Sequence, residues 1–146
     1  MESKVITTEK DLQKAFDIRK EVFVKEQGVP LEEEFDTYDM LDGSCDHILV
    51  YYHGGAVGTG RLNIEKDSAK LERICILKPY RKFGLGKVII QKLEEIAKRK
   101  EINHVKLHGQ TQAEGFYKKL GYQTSSNVFI EDGIPHILMT KKLSTQ

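Results

Sequence analysis

Arg81-Lys82-Phe83-Gly84-Leu85-Gly86-Lys87 is the stretch on which the fold turns. Before it, Lys70–Ile76 reads as a strand, and Lys78-Pro79-Tyr80 ends that strand because proline cannot donate to a ladder. After it, Leu85, Ile89, Leu93 and Ile96 fall four, four and three residues apart, the single apolar stripe of a helix. Val88 widens the stripe, while Lys87, Gln91, Lys92, Glu94, Glu95 and Lys98 take the other face. The segment is therefore a strand-to-helix turn with two glycines and three cations. A helix N-terminus offers unpaired amides and a positive dipole end, which suit a phosphate. Glycines let the backbone approach an anion closely, and Arg81, Lys82 and Lys87 add charge. The plainer reading is a glycine-rich connection with basic neighbours.

Two familiar phosphate loops do not fit. The dinucleotide-binding fingerprint needs a third glycine where Ile89 stands. The P-loop needs glycine in place of Arg81 and Ser or Thr in place of Val88. A different phosphate carrier is called for.

Working outward, His47–Tyr52 and Ala56–Glu65 read as two further strands, separated by turns at His53-Gly54-Gly55 and Lys66-Asp67-Ser68. With Lys70–Ile76 they form an antiparallel meander. Upstream, Val5-Ile6 begins a strand, and Thr8 with Asp11 resembles a capping box. Leu12, Phe16 and Ile18 to Phe23 predict a first helix running to about Lys25 and broken by Gln27-Gly28-Val29-Pro30. An acidic stretch follows, with Glu32, Glu33, Glu34, Asp36, Asp39 and Asp42, read as a solvated face with room for a short second helix. Downstream come a short buried strand at His104–His108 and a helix at Thr111–Leu120 with Gly121 as its C-cap. Two last strands, near Ser126–Glu131 and His136–Lys142, flank a turn at Asp132-Gly133. The order is β-α-α-β-β-β-α-β-α-β-β, an α/β fold on a mixed, mostly antiparallel sheet flanked by helices. No internal repeat, linker or low-complexity segment divides it, so one domain is expected over 1–146 with its core at about 4–143.

Composition narrows the function classes. The chain has 146 residues, 39% of them hydrophobic and 31% charged, as in a folded globular protein. The formal net charge of +1 gives no basic excess for nucleic acid. Apolar runs such as Ile48–Tyr52 fall far short of the roughly 20 residues a membrane helix needs. Met1-Glu2-Ser3-Lys4 lacks the apolar core of a signal peptide, so the cytoplasm is the expected compartment. Cys45 and Cys75 are too far apart for a C-x-x-C pair, and no disulfide is expected there. His47, His53, His104, His108 and His136 show no metal-ligand spacing, so no metal is expected.

Arg81-Lys82-Phe83-Gly84-Leu85-Gly86 resembles the signature of the GCN5-related N-acetyltransferase (GNAT) superfamily: Arg or Gln, two residues, Gly, one residue, Gly or Ala. Leu71–Ile76 followed by Pro79-Tyr80-Arg81 also looks like that family, as does Gly115-Phe116-Tyr117-Lys118-Lys119-Leu120-Gly121-Tyr122. The element order agrees from about Lys4 to Leu143. Ile18–Pro30, then Glu34 and Asp36, and the ending Asp132–Met139 are similar to the subgroup typified by the bacterial proteins ElaA and YjcF.

The resemblance implies transfer of an acetyl group from acetyl-CoA to a primary amine, on a small molecule or a protein. It places Arg81, Lys82, Phe83, Gly84, Leu85, Gly86 and Lys87 at the diphosphate. It lays Ile74, Cys75 and Ile76 along the pantetheine arm, with a main-chain amide near Ile76 polarising the thioester carbonyl. A structural reading makes the same three residues core strand. Tyr117 stands where the family often has a general acid, and a phenol near 10 stays protonated at neutral pH. Its plainer role is packing. For the base, Glu72 on the strand bordering the cofactor is a candidate, with Glu26, Glu34 and a water relay as alternatives. The acidic stretch would border the acceptor slot and steer a cationic amine. His136 lines that slot or satisfies a local hydrogen bond, and Cys75 reads as a small buried residue. A homodimer is an expectation by analogy with such folds. The rival function is a non-catalytic acyl-CoA-binding sensor, which would need the Arg81–Gly86 loop but not Tyr117.

Overall fold

A computed structural model describes residues 2–144; Met1 and residues 145–146, part of the domain expected over 1–146, lie outside it. The elements are β1 (Glu2–Val5), α1 (Glu9–Arg19), α2 (Leu31–Glu34), β2 (Cys45–Tyr52), β3 (Gly55–Glu65), β4 (Ser68–Ile76), α3 (Leu85–Arg99), β5 (His104–Gln110), α4 (Glu114–Lys119), β6 (Gln123–Thr124), β7 (Phe129–Glu131) and β8 (Ile134–Lys142). The described strands form one eight-stranded sheet in the order β1-β2-β3-β4-β5-β8-β6, with β7 on β8. β4 and β5 are parallel and the other pairs antiparallel. This is the mixed, mostly antiparallel architecture expected, with β2-β3-β4 as the meander.

Three local differences have physical causes. Thr8 caps α1 as its sequence predicts, accepting from the Asp11 amide at 3.2 Å. The α-helix nevertheless ends at Arg19, not Lys25, and Lys20–Glu26 continues as a π-helix. Gln27 N donates to Val22 O at 3.1 Å, five residues back, before Gly28 leaves at φ 80°. At the end of that wider turn Glu26 accepts from Arg81 and Gln27 from Gln110. The predicted Thr111–Leu120 helix starts with a 3-10 turn at Thr111–Ala113. The strand predicted near Ser126 begins only at Phe129, and Gln123–Thr124 adds a short pairing with β8.

The two sheet faces carry separate cores. On one face, Leu85, Ile89, Leu93 and Ile96 of α3 are buried against Ile48, Val50, Leu62, Leu71, Val105 and Leu107. Each fully buried Leu or Ile contributes about 1.5–3 kcal/mol. On the other, Leu12, Ala15 and Ile18 of α1 and Val22 pack against Leu49 and Cys75. Gly58 and Gly60 let α3 lie close to the sheet. A Cβ at Gly60 would stand 2.9 Å from Ile89 Cγ2 and 3.1 Å from Leu93 Cδ1.

Two bulges bend the meander. Val50 pairs Gly58 while Tyr51 pairs Ala56, leaving Val57 as an extra residue of β3. Thr59 pairs Cys75 and Arg61 pairs Glu72, so Arg73 and Ile74 of β4 oppose the single residue Gly60. Arg73 sits at φ 54°, which costs a non-glycine residue about 1–2 kcal/mol. β4 and β5 pair only over Ser68–Leu71 with His104–Leu107 and then part.

Gly60→Ala should overpack the α3 seam. Urea unfolding is expected to show a lower midpoint at unchanged m-value, a loss of about 1–3 kcal/mol.

Candidate active site

The gap where β4 leaves β5 opens into a cavity of about 740 Å³. Six of the ten residues expected at the cofactor line it: Ile74, Cys75, Ile76, Arg81, Gly84 and Gly86. Lys82, Phe83, Leu85 and Lys87 do not. Leu85 is fully buried in the α3 core, and Lys82 and Lys87 are exposed on either side of the turn. The Phe83 ring stacks on Tyr52 at 4.9 Å, which pins the loop from outside.

The turn itself is built to leave amides open. Gly84 precedes α3 at φ 75°, and no side chain caps that helix. The first amides of α3 therefore lack side-chain partners, beside a glycine whose Cβ would meet nothing within 4 Å. Gly86 lies under Phe116, whose Cζ would be 3.1 Å from a Cβ there. Arg81 is turned inward: Nε donates to Ile76 O at 2.9 Å, and the guanidinium grips Glu26 at 2.5 and 2.6 Å. It joins the π-helix, the end of β4 and the loop. The Arg81 hydrogen bond, opposed by partial burial, holds the Glu26 carboxyl below its usual value.

Tyr117 is half-buried, with its ring against the Gly109 backbone; a Cβ at Gly109 would lie 3.1 Å from Tyr117 Cε2. Phe116 and Tyr122 flank it at 5.2 and 6.0 Å. Desolvation pushes its phenol up to about 12. Tyr117 lines the cavity, and its hydroxyl makes no protein hydrogen bond among the described residues. Burial also raises the thiols, Cys45 to about 12 and Cys75 further, so neither is an ionised nucleophile.

The acidic stretch is a solvated face only in part: Glu32, Glu33 and Asp42 are exposed, while Glu34, Asp36 and Asp39 are tied to arginines. Glu34 is 1% exposed, and Arg19 binds it through Nε at 2.9 Å. Asp39 accepts from Arg19 at 2.5 Å and from Arg61 at 2.9 Å. Arg61 also holds both oxygens of Asp36 and reaches Glu72 Oε1 at 2.9 Å. Lys70 stands 3.4 Å from Glu72 Oε2, and Arg73 Nε stands 3.3 Å from Glu34 without forming a hydrogen bond. Arg19, Arg61, Arg73 and Lys70 thus balance Glu34, Asp36, Asp39 and Glu72, which leaves Glu32, Glu33 and Asp42 as the exposed acids of the stretch. Buried guanidinium groups drew the paired carboxylates inward. Both oxygens of Glu72, the predicted base, are engaged by cations, which makes it an anchor for Arg61.

On the far wall, His108 Nδ1 lies 2.8 Å from Glu131 Oε1 and Phe129 packs against its ring at 5.0 Å. Burial would raise the Glu131 carboxyl, but the His108 hydrogen bond and charge win and lower it. His136 does both things expected of it: it lines the cavity, and its Nδ1 donates to Ile134 O at 2.7 Å. Nothing in the sequence spacing marked His108 with Glu131, because only the β5–β8 pairing and the β7–β8 hairpin bring them together.

Asp39→Asn should leave Arg19 and Arg61 short of a carboxylate and cost about 3–5 kcal/mol in urea unfolding at pH 7. Burial alone would raise the Asp39 carboxyl, but Arg19 and Arg61 hold it at about 2. Its unfolded value is about 3.9, so its stabilisation is complete above that pH and is lost as pH falls toward 2. Glu34, raised by burial, works in the opposite direction. The variant should therefore lose less stability than the parent between about pH 4 and 2.

Comparison with known proteins identifies the family. Residues 7–143 match the model of the acetyltransferase (GNAT) domain. The chain is 61% identical to the uncharacterized protein YyaT of Bacillus subtilis, over 99% of this chain and 97% of that one. It is 44% identical to the uncharacterized N-acetyltransferase YjcF of the same organism, over 97% and 99%. The crystal structure of Escherichia coli ElaA superposes with a TM-score of 0.86 at 25% identity, covering 97% of this chain and 100% of ElaA. The open β4–β5 edge, the uncapped glycine turn of α3 and this likeness over nearly the whole length make the chain a member of the GNAT acetyltransferase family, in the ElaA/YjcF-like subgroup.

Proposed function

We propose that this chain moves an acetyl group from acetyl-CoA to a primary amine by direct attack while both are bound. The observation that carries the reading is the gap between β4 and β5, whose cavity is lined by both glycines of the turn and by Tyr117. The residues present fit the co-substrate. The amides opening α3 suit the diphosphate, with Lys82 and Lys87 adding charge nearby. The edge of β4 at Ile74–Ile76 faces the gap and suits the amide-rich pantetheine arm. An amide near Ile76 would polarise the thioester carbonyl.

In this reading Tyr117 serves the leaving thiolate. Burial keeps its hydroxyl protonated. At about 12 the phenol is a weaker acid than a thiol near 8.5, so it gives up its proton only as the acylated nitrogen releases one. Arg81 acts by fixing the loop and the Ile76 carbonyl rather than by reaching for the anion. The buried, unpaired thiols Cys45 and Cys75 fit a reducing cytoplasm. Among the described residues no helix is long and apolar enough to cross a membrane.

Acetyl-CoA at about 100 times its Kd should raise stability by roughly 2.7 kcal/mol, while ATP and NAD should do little. Tyr117→Phe should lower kcat about 10²–10⁴-fold with acetyl-CoA affinity retained. An unchanged rate would remove Tyr117 from the chemistry, and binding with no transfer to any amine would leave only an acyl-CoA sensor.

A further inference from the structure

Strand β5 presents alternate residues to the two sides of the sheet. Val105 and Leu107 join the α3 core, and Gly109 carries the Tyr117 ring on that same side. His108 and Gln110 face the opposite side, where Gln110 donates to Gln27 at 3.1 Å. β4 has already left at this level, so the gap is open to both faces. Tyr117 and His108 therefore flank it from opposite sides.

Of the carboxylates lining the cavity, only Asp132, exposed in the β7–β8 turn, is not engaged by a cation or an imidazole. Glu72 is held by Arg61 and Lys70, Asp36 by Arg61, Glu34 by Arg19 and Glu26 by Arg81. His108 is different. Glu131 Oε1 is the acceptor, so in the neutral imidazole His108 Nδ1 carries the hydrogen and Nε2 the lone pair. Nε2 has no protein partner among the described residues, and the ring lines the cavity. Phe129 backs the ring at 5.0 Å and Glu131 fixes its tautomer, an arrangement that holds the lone pair in place. His136 cannot share the task through Nδ1, which is spent on Ile134 O, and its Nε2 stands 3.8 Å from Glu131 Oε2.

We infer that His108 is the general base that deprotonates the acceptor ammonium, and that Glu131 is its positioning residue; this rests on the transferase reading above. The acceptor enters on the His108 side as R–NH3+. One N–H proton passes to His108 Nε2, giving a neutral amine and an imidazolium paired with Glu131. The nitrogen lone pair attacks the thioester carbon, forming the C–N bond as the C–O π electrons move to oxygen. Collapse of that adduct breaks the C–S bond, and the thiolate takes the Tyr117 proton on the opposite face. The acylated nitrogen loses its second proton, which restores Tyr117, and His108 returns its proton to solvent. The sum is one amide, one thiol and one released proton.

The test uses the full chain and two acceptors: an alkylamine, which is an ammonium at pH 7, and an aromatic amine or hydrazide, which is already neutral. His108→Gln should lower kcat/KM for the alkylamine by about 10²–10⁴-fold and far less for the neutral acceptor. Glu131→Gln should show the same acceptor dependence to a smaller degree. Stabilisation by acetyl-CoA should persist in both variants, which shows that the fold and the donor site are intact. Equal losses with both acceptors, or no loss, would overturn the assignment of His108 alone. A parent chain that binds acetyl-CoA but acetylates neither acceptor would overturn the transferase reading, and this assignment with it.

Discussion

Four residue pairs, Ser68–Leu71 against His104–Leu107, hold β4 to β5 before the strands separate. That interrupted ladder is the constraint on which the rest depends. An interior sheet ordinarily satisfies its main-chain groups along the whole edge. Here the edge at Ile74–Ile76 is left facing a cavity, and a ligand rich in amides and carbonyls can complete it. β5 stays paired to β8 throughout, so its side of the gap is rigid, and the departure belongs to β4. The extra residue opposite Gly60, with Arg73 in a left-handed conformation, makes the turn away.

Packing and charge hold the strands in that strained state from both faces. Gly58 and Gly60 draw α3 against the sheet, which presents the N-terminus of that helix at the mouth of the gap. On the other face, Arg19 and Arg61 tie α1, α2 and the following loop to β3 and β4 through Glu34, Asp36, Asp39 and Glu72. Buried ion pairs add little net stability but are costly to break singly. Their value here is positional: they set one wall of the cavity. Arg81 does the same at the glycine turn by clasping Glu26 and Ile76.

The parts of this account that were legible in sequence are those with local periodicity. The Leu85–Ile96 stripe, the glycine turn before it and the meander each carry their own pattern, and the structure follows them. The π-helical extension at Lys20–Glu26 was not legible, because its side-chain spacing resembles an α-helix while its hydrogen bonds shift by one residue. The acidic stretch misled for a different reason. Glu34 and Asp39 look like surface carboxylates until Arg19, some twenty residues back, and Arg61, more than twenty residues on, are placed beside them. The pairing of His108 with Glu131 depends likewise on strand register, which no local window contains.

Tyr117 and His108 thus stand on opposite faces of one opening, which the proposed reaction divides into a donor and an acceptor side. A crystal structure with coenzyme A bound tests this most directly. The account predicts the pantetheine arm in the β4–β5 gap, hydrogen-bonded to the main chain of Ile74–Ile76, with the diphosphate on the amides that open α3. Density for coenzyme A outside the gap, or a ladder that closes between β4 and β5, would contradict it.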